Sequence, residues 1–161
     1  MTLLAPGDAF PALSVQKSGG GQIDLPGDLT GAYGVVLLYR GSWCPYCNAQ
    51  LRAFERARQT LAETGARVVA LSVDDEEVTA ALVERHGLTM PIGWGADAGA
   101  LAAATGAFVD GEGGFLQSTG FVLDPSGKVV ISVYSSGAIG RLVPEDVVGM
   151  IRYLREHAAA V

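Results

Sequence analysis

Two cysteines three residues apart sit where a buried strand gives way to a helix, and that junction constrains the fold more than any other stretch. Gly34-Val-Val-Leu-Leu-Tyr39 is a continuous apolar run with β-branched residues, the pattern of a central strand covered on both faces. Arg40-Gly41-Ser42-Trp43 follows as a loop. Pro45 then stands where a helix can begin, because the first turn needs no N–H from it and its φ is already helical. Cys44, Cys47, Leu51, Phe54 and Leu61 recur at spacings of three, four and seven, while Arg52, Glu55, Arg56, Gln59 and Glu63 lie largely on the other side. The spacing predicts one helix from about Pro45 to Thr64, ended by Gly65. It places Cys47 on the buried face and Cys44 at the more reachable N-terminus.

The rest of the chain supplies partners for that strand and helix. Turn signals at Pro6-Gly7-Asp8, Ser18-Gly-Gly-Gly21 and Pro26-Gly27-Asp28 separate two candidates for short paired strands, 12–15 and 22–25. Arg67-Val-Val-Ala-Leu-Ser-Val73 reads as a second buried strand. Asp74 and Asp75 are candidate caps for a helix from about Glu76 to His86, closed by Gly87, and Asp97 is read as a cap as well. A short strand near 90–94, a short helix over 98–104 and a glycine-rich loop over 106–114 follow. Gly120–Asp124 and Lys128–Val133 form a hairpin around Pro125-Ser-Gly127. The last helix runs from Pro144 to Ala158, with Val147, Val148, Ile151 and Leu154 as its apolar stripe. This order predicts an α/β domain spanning 1–161, with a parallel pair and an antiparallel hairpin in one mixed sheet, flanking helices and an N-terminal β extension.

Charge and cysteine count narrow the function. With 11 basic against 17 acidic residues the net charge is −6, and no basic run exists, so nucleic-acid binding is not expected. No stretch reaches the roughly 18 apolar residues of a membrane span, and the N-terminus lacks the basic region of a signal peptide, so a cytoplasmic protein is expected. Two cysteines are too few for a disulfide scaffold or a four-thiolate zinc site. In a reducing compartment a C-x-x-C pair is catalytic or metal-binding more often than structural.

The position of the pair favours redox chemistry. The first turn of a helix sets both sulfurs on one face. Its free N–H groups and dipole stabilise a thiolate, bringing such cysteines down to a pKa of roughly 3.5–7.5. The carboxyl end of a buried strand is also where open α/β sheets bind ligands. Two other readings compete. The cysteines could be half of a zinc site completed by His86 and His157, although the histidine spacing is unlike a finger. They could also be inert packing residues. Both histidines end predicted helices and read as structural. Arg40, four residues before Cys44, is a candidate thiolate partner, and Trp43 a candidate shield for the sulfurs. Neither a metal nor a cofactor is expected.

Trp43-Cys44-Pro45-Tyr46-Cys47 resembles the active site of the thioredoxin and glutaredoxin superfamily, and the Pro-Tyr dipeptide is that of glutaredoxin. The whole chain resembles the peroxiredoxins of the alkyl hydroperoxide reductase and thiol-specific antioxidant group. The segments carrying that resemblance are Gly7-Asp-Ala-Phe-Pro11, Leu71-Ser-Val-Asp74, Leu82-Val-Glu-Arg-His-Gly-Leu88, Met90-Pro91-Ile92, Gly120-Phe-Val-Leu-Asp124-Pro-Ser-Gly127 and Gly140-Arg141-Leu-Val-Pro-Glu145. It implies a thioredoxin-like fold. The family pattern Pro-x-x-x-Thr-x-x-Cys puts the attacking cysteine at Cys47, Thr at Cys44 and Pro at Arg40, with Gln50 where the family has Glu or Gln. The family's arginine just before the hairpin strand falls on Ser118, and the thioredoxin cis-proline is absent from the stretch holding Ser118 and Thr119. Arg40 and Arg141 are the candidates for the missing positive charge.

Three functions follow from the pair and its resemblances. The favoured one is thiol–disulfide exchange, with Cys44 attacking a substrate disulfide and Cys47 resolving it. The second is hydroperoxide reduction, with Cys47 attacking and Cys44 resolving. The third is a redox sensor that binds a partner. The expected partners are a disulfide or hydroperoxide and a thiol reductant, either a thioredoxin-like protein or a small thiol. Chains of this kind are often homodimers, though no long apolar edge marks an interface.

Overall fold

The computed structural model describes residues 2–158, and the ends of the single-domain span 1–161 lie outside them. Seven strands form one sheet in the order β2-β1-β5-β4-β3-β6-β7. The centre is β3 (Tyr33–Leu38), parallel to β4 (Ala66–Leu71) on one side and antiparallel to β6 (Thr119–Leu123) on the other. β4 continues in parallel to β5 (Ile92–Trp94), and β6 turns back into β7 (Val129–Tyr134). The N-terminal extension is the antiparallel pair β1 (Leu13–Lys17) and β2 (Gln22–Leu25), joined to the sheet through β5. The result is the expected α/β thioredoxin-like fold.

Both faces of β3 are buried, as its unbroken apolar run requires. Val35, Leu37 and Tyr39 pack in the core cluster that holds both cysteines, with Leu51, Phe54 and Leu61 from the helices after them and Val147 and Ile151 from α5 (Pro144–Ala158). Val36 and Leu38 face the opposite cluster with Phe10, Leu101 and Phe121. That second layer includes α4 (Ala98–Thr105), while Leu82 of α3 (Glu76–His86) joins the first.

The long helix expected over 45–64 is two helices, α1 (Pro45–Arg56) and α2 (Arg58–Thr64), broken at Ala57 with φ −89° and ψ 5°. On a straight helix Arg58 would fall on the stripe of Leu51 and Phe54, seven and four residues behind it. The break lets the Arg58 side chain stay 67% exposed while Leu61 returns to the core. Asp75 and Asp97 cap α3 and α4, accepting the N–H of Val78 and Ala100. Asp74 does not cap a helix. Its carboxylate accepts the Ser42 N–H at 2.8 Å and so ties the end of β4 to the loop before the cysteines. Among the described residues no helix is long and apolar enough to cross a membrane.

Candidate active site

The cysteines sit at the carboxyl end of β3, where α1 begins. Cys44 is the N-cap of that helix and Pro45 its first residue. The Cys47 N–H donates to Cys44 Sγ at 3.3 Å, and the Arg40 N–H donates to Cys47 Sγ at 3.3 Å. The approach to them is tight. A Cβ on Gly41 would lie 2.3 Å from the Trp43 indole nitrogen, so the loop folds back over itself only with glycine there. Neither sulfur bears the exposure expected of Cys44. Both cysteines are 0% exposed and belong to the core cluster, and the Arg40 side chain reaches back to Cys44.

Two arginines converge on the pair. The Arg40 guanidinium lies 3.8 Å from Cys44 Sγ through Nη1, and its Nε donates to Gln117 Oε1 at 2.9 Å. Its carbon stands 4.9 Å from the centre of the Trp43 ring and 5.2 Å from that of Phe115, a pair of cation–π contacts. Trp43, 54% exposed, therefore packs against Phe115 and Arg40 more than over the sulfurs. From the other side Arg141 donates to Gln50 Oε1 at 3.2 Å, and its charge favours the thiolate at both cysteines. Gln50 in turn donates to the Leu142 carbonyl at 2.9 Å. Gly120 makes this possible, since a Cβ there would stand 2.7 Å from the Leu142 side chain and hold the 140–143 segment off β6.

Burial raises the cost of a thiolate at both sulfurs, and the donors decide which one bears it. At Cys44 burial is outweighed by hydrogen bonds from Cys47 and Arg40 and by the charge of Arg141, which leave its pKa below the ordinary thiol value. At Cys47 burial, reinforced by the bond to Cys44, prevails over Arg40 and Arg141 and holds the thiol up. The surroundings therefore favour negative charge on Cys44 over Cys47. Tyr39, directly before the loop, is pushed up to about 12, chiefly by burial, and stays a neutral phenol.

Ser118 and Thr119 sit at the start of β6 but serve the backbone. The Ser118 carbonyl accepts the Ser135 N–H, and Thr119 Oγ1 donates to the Gln117 carbonyl. The residue of that stretch that reaches the site is Gln117, one position earlier, which sequence reasoning missed. The one available signal was its place beside the position of the family arginine. Among the described residues the cis peptide bond is at Leu25–Pro26, not beside Ser118. Among the described residues no cluster of three or more His, Cys, Asp or Glu is placed to hold a metal ion. His86 sits against Arg52 and His157 stacks on Tyr153, apart from the cysteines.

Comparison with known proteins bears on the fold and the family. The family model described as AhpC/TSA matches residues 6–132. A putative peroxiredoxin of Mycobacterium tuberculosis is 31% identical over 147 residues, covering 88% of this chain and 92% of that protein. A peroxiredoxin of Chlorobaculum tepidum is 30% identical over 145 residues, covering 86% of this chain and 67% of that protein. Among solved structures, the peroxidoxin BcpB of Mycobacterium tuberculosis superposes with a TM-score of 0.81 at 22% identity, over 94% of this chain and 99% of that one. AhpC of Enterococcus faecalis gives 0.80 at 20% identity, over 97% of each chain. The structural likenesses speak for the fold, and the sequence matches for the family. The chain belongs to the AhpC/TSA family, the peroxiredoxins, and is a thiol-based oxidoreductase.

Proposed function

We propose that the protein is a hydroperoxide reductase in which Cys47 attacks the peroxide and Cys44 resolves the product. One observation carries this reading. Cys47, which stands at the attacking position of the family pattern, accepts the Arg40 N–H at 3.3 Å, and the charge of the Gln50-anchored Arg141 favours its thiolate. These are donors of the kind that stabilise charge as an O–O bond breaks.

The reaction balances within the pair. Cys47 passes its proton to the Cys44 thiolate and its sulfur attacks the terminal peroxide oxygen. The O–O bond breaks, the departing alkoxide takes the proton from Cys44, and an alcohol (water, from hydrogen peroxide) leaves. Cys47 is then a sulfenic acid and Cys44 again a thiolate. Cys44 attacks Cys47 Sγ and displaces hydroxide, which is protonated by solvent, and the disulfide Cys44–Cys47 forms. A thiol reductant, a thioredoxin-like protein or a small thiol, returns both to the reduced state. The test is consumption of hydrogen peroxide or an alkyl hydroperoxide by the purified protein with excess dithiol. Steady turnover that forms one disulfide per peroxide supports the reading. No consumption beyond that of the dithiol alone overturns it.

A second reading rests on a different feature. Cys44 at the helix N-terminus, held low by its donors, is equipped to attack a disulfide directly, as the glutaredoxin-like Pro-Tyr spacer suggests. Rapid reduction of a mixed-disulfide reporter together with absent peroxide turnover favours it.

A further inference from the structure

Gln117 lies in the segment entering β6, is 7% exposed, and belongs to none of the steps above. Its own backbone is fixed, with the N–H donating to the Phe108 carbonyl at 2.8 Å and the carbonyl accepting Thr119 Oγ1 at 3.1 Å. Its side-chain oxygen takes the Nε–H of Arg40, 77 residues earlier, at 2.9 Å. A guanidinium is a rigid planar fork, so fixing Nε and pressing the plane against aromatic rings leaves little freedom to the remaining nitrogens. With Nε held by Gln117 and the Trp43 and Phe115 rings against the group, Nη1 is left 3.8 Å from Cys44 Sγ. Arg40 is only partly buried, and a long cationic side chain without such an anchor turns its head to water.

We propose that Gln117 is a positioning residue: by holding Arg40 Nε it keeps the guanidinium on Cys44 and so selects Cys44 as the sulfur that bears the negative charge. Arg40 then serves the two cysteines by two routes. Its main chain, fixed by the loop, addresses Cys47, and its side chain, fixed by Gln117, addresses Cys44. Cys47 and Arg141 also face Cys44, so removing the Gln117 anchor weakens the preference without abolishing it. The reaction proposed above enters only through the part of Cys44 as proton carrier and resolving sulfur.

The test is a titration of the Cys44 thiolate by its ultraviolet absorbance in a Cys47→Ser background, where no second thiol absorbs. The variants are Gln117→Leu, Arg40→Met and the two combined, with circular dichroism to check the fold. Gln117→Leu is expected to raise the midpoint by about half a unit, roughly threefold less thiolate at a pH below it. Arg40→Met is expected to raise it at least as far, and the combination no further than Arg40→Met, because the two act through one contact. An unshifted midpoint in Gln117→Leu, or shifts that add in the combination, overturns the assignment. If Gln117→Leu does not fold, Gln117→Met, of similar shape but without the acceptor, carries the same expectation. A raised midpoint in a protein that consumes no hydroperoxide keeps this assignment and sinks the proposed reaction. Peroxide turnover with an unshifted midpoint does the reverse.

Discussion

The main-chain N–H of Cys47 points at the sulfur of Cys44, 3.3 Å away. Cys44 is thereby both a redox group and the N-cap of α1, satisfying one of the donors a helix start leaves free. The charge that makes the sulfur reactive also makes it a better cap.

Loss of that cap should be measurable apart from chemistry. Cys44→Ala is expected to lower the stability of the reduced protein by about 1 kcal/mol, the usual cost of an N-cap. Cys44→Ser, which keeps an acceptor, should recover most of it. Chemical denaturation of both variants under reducing conditions checks this, and equal midpoints would show that the sulfur does not cap.

Arg141 should matter to the first oxidation more than to folding. Its bond to Gln50 anchors it, and its charge favours the thiolate of Cys47, the sulfur that attacks in the proposed reaction. Arg141→Leu is expected to slow the single-turnover oxidation of Cys47 by about one hundredfold, in the range of a lost charge-stabilising donor. Gln50→Leu should slow it less, because Arg141 keeps its bond to the Ala138 carbonyl at 2.5 Å. Stopped-flow oxidation with a pulse of peroxide gives both rates.

The Arg141–Gln50 contact joins residues ninety-one positions apart, and the sequence signals for it were weak. What the sequence made legible was local: the apolar run of β3, the proline starting α1, the caps Asp75 and Asp97, and the hairpin at β6 and β7 all follow from patterns a few residues long. The break at Ala57 was missed because Leu61 keeps the stripe's seven-residue spacing from Phe54, while the conflict lies in Arg58 between them. The burial of Cys44 has no local signal because its neighbours come from distant parts of the chain, the core cluster around it and the Arg40 side chain that Gln117 holds. Asp74 looked like a cap because it stands beside Asp75, yet its carboxylate turns back to Ser42.

Glu55 predicts an acid limb to stability. It is 6% exposed, and burial pushes its carboxyl up, but the Thr89 hydroxyl and N–H, at 2.5 and 2.7 Å, with help from Met90, bring it below the ordinary value. A carboxylate with a depressed folded pKa contributes stability that is present above its unfolded value, about 4.3, and fades as pH falls through the folded one. Glu55→Gln is expected to cost about 1–3 kcal/mol at neutral pH, as for a buried hydrogen bond to a charged group. Its stability should also decline less steeply in acid than that of the unmodified protein. The ion pair with the exposed Arg58 adds little, so Arg58→Ala should be nearly silent. Urea melts across the acid range check both.

The most direct measurement is a peroxide pulse given to Cys44→Ser and to Cys47→Ser, followed by trapping of sulfenic acid and mapping by mass spectrometry. Attack by Cys47 predicts trapped sulfenic acid on Cys47 in Cys44→Ser, formed at a rate proportional to peroxide, and far slower oxidation of Cys44 in Cys47→Ser. Oxidation of Cys44 in Cys47→Ser as fast as that of the unmodified protein, with Cys47 inert in Cys44→Ser, would contradict it.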